Sequence, residues 1–138
     1  MILNQIILHH SLTKDSKTVS WDAIRNYHVN TLKFNDIGYH FGIELINSRY
    51  EILMGRMLDQ VGAHTKNHND TIGICFMGNF DIDDVPMPQW RLGIKLVRSL
   101  MSVLNISIVK GHREYAGYKS CPGNRFNVDQ FRNDLLGG

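Results

Sequence analysis

Apolar and polar positions follow one another along the chain in short blocks whose period changes from segment to segment. Gln5-Ile6-Ile7-Leu8-His9 is a run of strand length with apolar residues on both faces, the pattern of a central strand in a sheet covered by helices. Ser20 stands ahead of Trp21, Ile24, Tyr27, His28 and Leu32, an i, i+3, i+4 stripe that predicts a helix from Trp21 to Lys33 with Ser20 as its N-cap. Asn35-Asp36-Ile37-Gly38 breaks it. Phe41 to Ile46 and Tyr50 to Met54 are β-rich runs around Asn47-Ser48-Arg49, which predicts a hairpin and hence a mixed sheet. From Gly55 to Asp70 periodicity is lost, and a stretch of that length inside a compact domain is more often a functional loop than a linker. Strand Thr71 to Met77 follows, then a turn-rich segment from Gly78 to Met87. Pro88 leads Leu92, Leu96, Val97, Leu100, Met101 and Leu104, a long amphipathic helix. Ile106 to Lys110 is a last strand, and Asn127 caps a helix from Val128 to Leu135. The order is β-α-β-β-β-α-β-α.

Composition narrows the class. The 138 residues are 43% hydrophobic and 20% charged, enough apolar material for one domain, residues 1–138, with its own core. No apolar stretch approaches the ~20 residues needed to cross a bilayer, so a soluble protein without stable membrane association is expected. Met1-Ile2-Leu3-Asn4-Gln5 turns polar at once, which argues against a secretory signal and for production in the cytoplasm. A net charge of +2 does not predict a nucleic-acid partner.

Two cysteines are too few for a disulfide framework. Cys75 lies in an apolar run and reads as a small buried hydrophobe. Cys121 sits in a polar loop and has no core to belong to. Of the 7 histidines, His9 ends the first strand and His112 follows the last strand in Gly111-His112-Arg113-Glu114, while Cys121 comes on a stiff Cys121-Pro122-Gly123 turn. Strand ends and the loops leaving them are where a rigid sheet presents convergent groups. Two imidazoles and a thiolate suit Zn²⁺, and three protein ligands leave a fourth position open, as in catalytic zinc sites. No short C-x₂-C or H-E-x-x-H signature fixes the geometry. His10 competes with His9, since adjacent strand residues face opposite ways.

Eight blocks stand in order along the chain: Ile7-Leu8-His9-His10-Ser11, Asp36-Ile37-Gly38-Tyr39-His40-Phe41, Gly55-Arg56, Gly62-Ala63-His64-Thr65, Asn69-Asp70-Thr71-Ile72-Gly73-Ile74, Gly78-Asn79-Phe80, Gly111-His112-Arg113-Glu114 and Lys119-Ser120-Cys121-Pro122-Gly123. In these the chain resembles the zinc-dependent N-acetylmuramoyl-L-alanine amidases of type 2, which include short phage endolysins and the catalytic peptidoglycan recognition proteins. The resemblance implies an α/β fold, a single domain with a mixed central sheet flanked by helices. It implies one Zn²⁺ per chain on His9, His112 and Cys121, with Tyr39 and Lys119 catalytic, and His64 and Asn69 lining the substrate groove. Glu114, His10 and His40 are candidate supports.

Under this resemblance the chain is an enzyme that hydrolyses the amide between the lactyl group of N-acetylmuramoyl and L-alanine in peptidoglycan. Zinc would lower the pKa of a water and polarise the carbonyl. Lys119 would hold the developing oxyanion, and Tyr39 would orient the water or assist proton transfer. The expected setting is a phage endolysin, a monomer made in the cytoplasm of an infected bacterium that reaches the cell wall after release. A muropeptide-recycling amidase and a non-catalytic peptidoglycan-binding module are the alternatives. Cys121 argues against the module, because binding-only members typically lack that ligand.

Overall fold

The β-rich runs form five strands, β1 (Gln5–His10), β2 (Phe41–Ile46), β3 (Arg49–Met54), β4 (Ile72–Phe76) and β5 (Ile108–Gly111). They are seen in a computed structural model that describes residues 3–12 and 20–137; residues 13–19 and the ends of the expected domain, at residues 1 and 138, lie outside it. The strands build one sheet in the order β3-β2-β4-β1-β5. β1 is central and parallel to both neighbours, with His9 in register with Cys75 and Leu8 in register with Gly111. β2 runs parallel to β4 and antiparallel to β3, so the sheet is mixed, as expected. Asn47 and Ser48 turn the hairpin with φ of 50° and 76°, the double positive φ that matches the twist of the flanking strands.

Helices cover both faces. α1 (Trp21–Asn26) starts at Ser20, whose Oγ accepts the Ala23 N–H at 3.2 Å. It passes into a π-helical turn, Tyr27–Thr31, where Leu32 donates to the Tyr27 carbonyl. Lys33 then takes φ 63°, so the helical segment stops at Thr31, two residues before the expected end. The widened turn brings His28 Nδ1 to the Gly38 N–H at 2.8 Å, next to Tyr39. Wide turns of this kind are frequent at functional sites. α2 (Met87–Leu104) has Pro88 in its first turn and closes at Asn105, in the left-handed region with φ 56°. Ile106 then donates to Met101, which ties it to the helix end and starts β5 two residues later than predicted. α3 (Val128–Leu136) is capped by Asn127, whose Oδ1 accepts the Gln130 N–H.

The period-2 pattern of β1 divides the interior. Ile6 and Leu8 join Ile72, Ile74 and Phe76 under α2 and α3, where Val97, Phe126 and Phe131 complete the main cluster. On the opposite face Trp21, Ile37, Cys75 and Met77 form a smaller one. Gly42 makes room for the first of these, since a Cβ there would lie 2.3 Å from Trp21 Cζ3. Cys75 is fully buried, as its apolar run predicted.

Phe131 has no exposed surface and meets Trp90 and Phe76 edge-on, at centroid distances of 5.0 and 5.9 Å. Phe131→Ala is expected to cost about 3–5 kcal/mol, because a cavity opens between α3 and the sheet. Urea unfolding checks this: the midpoint should fall with the slope unchanged. A loss under ~1 kcal/mol would mean that α3 contributes little to the sheet's support.

Candidate metal centre and its cleft

His9 leaves the carboxyl end of β1 and His112 begins a 3₁₀ turn, His112–Glu114, directly after β5. Because Leu8 and Gly111 are register partners, the next residue of each strand leaves the same edge of the sheet. Their rings stand 4.6 Å apart. Crevices at the carboxyl ends of parallel strands are where open α/β sheets bind ligands. Cys121 closes the group: its Sγ is 3.7 Å from His9 Nδ1 and accepts the His10 N–H at 3.4 Å. The ligand atoms of His9, His112 and Cys121 all lie within 4.8 Å of one another.

This donor set fits zinc. Ligand atoms around a tetrahedral Zn²⁺ with N and S donors stand roughly 3.3–3.6 Å apart, and the Cys121 Sγ to His9 Nδ1 separation of 3.7 Å is close to that spacing. His9 is 1% exposed and His112 is 9% exposed, so both imidazoles are buried. Burial holds His9 well below the usual histidine range, helped by the neighbouring His64 and His112 rings. Burial and then the Lys119 ammonium push His112 down to about 4. Both rings are therefore neutral near pH 7 and offer a lone pair. Burial raises the Cys121 thiol to about 12, with the His10 N–H and Lys119 acting against it. Without a cation the sulfur keeps its proton, and the charge of a metal ion held between these side chains would favour the thiolate.

The Cys121 loop is held by side chains placed away from the ligands. Arg113 N–H donates to the Cys121 carbonyl at 2.7 Å, and its guanidinium donates to the carbonyls of Ser120, Gly123 and Phe126. Asp81 accepts from Ser120 Oγ and the Asn124 N–H, and the second of these holds its carboxyl below the usual range. Gly123 has φ +125°, and a Cβ there would lie 2.5 Å from the Phe80 carbonyl carbon. Glu114 accepts the Gly111 N–H at 2.8 Å and pairs with Arg132, which fixes the turn that carries His112. Glu114 thus supports the site, and His10, facing the opposite side of β1, accepts the Phe80 N–H.

A cleft of about 730 Å³ opens over these three side chains, lined among others by Tyr39, His64, Asn69 and Lys119. The Tyr39 ring is 5.1 Å from His9. Burial, followed by the nearby Cys75 and Cys121 thiols, raises its phenol well above the usual range. Gly55 and Arg56 donate to the carbonyls of His40 and Tyr39, and the Arg56 side chain donates to Ile37 and Val61, which explains the Asp36-to-Phe41 and Gly55-Arg56 blocks as one clamp. His40 belongs to it too, bridging the Gly73 N–H and the Gln60 carbonyl.

The structure gathers all seven residues singled out in the sequence around one cleft. Thr65 was missed. Its hydroxyl lies 2.9 Å from His64 Nδ1 and 3.3 Å from His9 Nε2. His64 itself touches His9, with Nδ1 3.0 Å from His9 Nε2, which no local spacing announces. Burial pushes His64 down to about 3.

Known proteins resemble this chain in sequence and in fold. The sequence model of N-acetylmuramoyl-L-alanine amidase, Amidase_2, matches residues 2–124. The endolysin of Klebsiella phage KP32 is 31% identical over 141 residues, covering 96% of this chain and 89% of its own length. Peptidoglycan-recognition protein SC2 of Drosophila melanogaster is 31% identical over 130 residues, covering 88% of this chain and 68% of its own. Among solved structures, the endolysin amidase LysCS from Clostridium intestinale URNW superposes with a TM-score of 0.86 at 30% identity, over 98% of this chain and 84% of that one. With its mixed sheet, its His/His/Cys cluster and these matches, the chain belongs to the N-acetylmuramoyl-L-alanine amidase family Amidase_2.

Proposed function

We propose that this amidase holds one Zn²⁺ between His9, His112 and Cys121 and acts as a phage endolysin, made in the cytoplasm and hydrolysing the lactyl-to-L-alanine amide of peptidoglycan after release to the cell wall. The observation that carries the reading is the convergence of two neutral imidazoles and one thiol within 4.8 Å at the floor of the cleft. Bound there, Zn²⁺ supplies Lewis acidity toward the scissile carbonyl and brings the pKa of a water down toward ~7. The remaining work falls to the chain. The Lys119 ammonium, on the cleft wall, faces the negative charge that develops on the carbonyl oxygen. Tyr39 keeps its proton throughout the neutral range, so its hydroxyl, which bonds the Cys75 side chain here, would turn to the reacting groups as a hydrogen-bond donor and not as a base. His64 and Asn69 shape the wall that receives the glycan-linked peptide.

Cys121→Ser tests the ligand set. A serine hydroxyl stays protonated and binds zinc poorly, so zinc content and amide hydrolysis should both be lost. Binding to sedimented cell walls should survive, since the cleft wall does not depend on the thiol. Release of new L-alanine amino groups at the parent rate would refute the ligand assignment.

Tyr39→Phe and Lys119→Ala should each lower kcat by roughly 10²-fold or more with little change in KM and unchanged zinc content, if their interactions exist only in the transition state. Parent turnover in both would leave them as structural residues.

The pH dependence of zinc binding follows from the protons on each ligand. With His112 ionising only at about 4 and His9 held well below the usual range, neither imidazole carries a proton at pH 5–6, whereas the thiol, at about 12, does. Binding therefore releases one proton. Affinity should rise with pH by about tenfold per unit between pH 5 and 6, read by chelator competition. Histidines of ordinary pKa would also be charged there, and would steepen the rise toward a thousandfold per unit.

A further inference from the structure

We propose that Thr71 and His64 act as a positioning relay that fixes the tautomer of His9, so that Nδ1 is presented unprotonated toward Cys121; this rests on the ligand set proposed above. The Thr71 carbonyl can only accept, and it lies 3.1 Å from His64 Nε2, so that nitrogen must carry the proton. A neutral ring then leaves His64 Nδ1 as an acceptor. His9 Nε2 is 3.0 Å away and must donate to it. The proton of His9 is thereby placed on Nε2, and Nδ1, the nitrogen 3.7 Å from Cys121 Sγ, is bare. The reverse order would set a bare His64 Nε2 against the Thr71 carbonyl and a proton on the side of His9 that faces the thiol. Thr65 cannot impose that order, because its hydroxyl accepts from His9 or donates to His64 equally well.

The ring that passes this information is held by shape. A Cβ on Gly62 or on Gly73 would lie 2.6 or 2.5 Å from His64 Cδ2, so the imidazole occupies a slot that only glycines leave open. Asn69 Oδ1 accepts the backbone N–H of both His64 and Thr65, at 2.7 and 2.8 Å, and so orients the turn from which the ring projects. Histidines that bind metals are commonly oriented through their second nitrogen by a carboxylate or a carbonyl. In this chain the carbonyl acts one ring removed.

The test is a nitrogen NMR spectrum of the metal-stripped full chain labelled with ¹⁵N at histidine, alongside zinc titration. In the parent, His9 and His64 are expected as Nε2–H tautomers. His64→Phe keeps the size of the ring and removes the acceptor; zinc should bind 10- to 100-fold more weakly, a range typical of lost orienting partners, and His9 should show a mixture of tautomers. His64→Gln retains an acceptor and a donor and should recover most of that loss. The parent spectrum needs no variant, so it decides the matter even where a substituted chain does not fold. His9 protonated on Nδ1 in a parent that binds zinc overturns the relay alone. So does a His64→Phe chain with parent zinc affinity and an unchanged His9 spectrum. A parent that binds no zinc overturns the ligand set and the relay's purpose with it.

Discussion

His9 and His112 can meet because β1 and β5 lie side by side and parallel, and reach the same edge of the sheet together. A parallel pair cannot be made by a tight turn and leaves both faces needing cover. The connection here runs through α1, the hairpin, β4 and α2, and both faces of β1 are buried. Everything that keeps β1 between β4 and β5 therefore keeps the two imidazoles together. The aromatic cluster of Phe76, Phe126 and Phe131 does this from one side, and Trp21 over Gly42 from the other. Cys121 is drawn to the same edge by Arg113, the neighbour of His112 in sequence, so two of the three ligands hang on one short segment.

That framework stays inexpensive electrostatically for as long as its ligands are neutral. Burying charges costs far more than burying imidazoles that have partners. The structure keeps formal charge out of the triangle: His9, His64 and His112 are all held in their neutral forms, and the Cys121 thiol is held protonated. The carboxylates nearby are committed elsewhere. Asp81 ties down the Cys121 loop, and Glu114 is paired with Arg132. The formal positive charge on the cleft wall is left to the exposed Lys66 and Lys119. The same economy explains why so many side chains near the site bond to backbone. Arg56, His40 and Asn69 satisfy the carbonyls and amides of an irregular segment that has no ladder of its own.

Most of the fold was legible in the sequence because period and punctuation are local properties. The apolar runs marked all five strands, and Ser20 and Asn127 marked helix starts through hydrogen bonds that reach only three residues. What could not be read locally was misplaced by a residue or two. The end of the first helix depends on a π-turn that seats His28 against Gly38, and the start of β5 depends on a bond from Ile106 back to Met101. The clustering of His9, His112 and Cys121 was legible from strand ends and an orphan cysteine, and the family blocks chose His9 over His10. The partners of those ligands were not. Thr65 carries no signal of its own, and the contact between His64 and His9 joins residues 55 positions apart. Such a contact arises from tertiary packing, through slots such as the one left by Gly73.

The hydrogen bonds already spent in the cleft also restrict how its walls can meet a substrate. The Asn69 carbonyl oxygen has two lone pairs and accepts two backbone N–H groups, so any bond from that side chain to a peptide or sugar must be donated by its amide nitrogen. Both ring nitrogens of His64 are likewise engaged, toward Thr71 and His9. It can touch substrate through carbon alone. Groove-lining residues of this kind contribute shape and exclude water, whereas hydrogen-bonding specificity must come from groups with capacity to spare. Within residues 62–71, His64 and Asn69 thus spend their bonding capacity on holding the fold, whereas Tyr39 and Lys119 reach the same cleft from other segments of the chain.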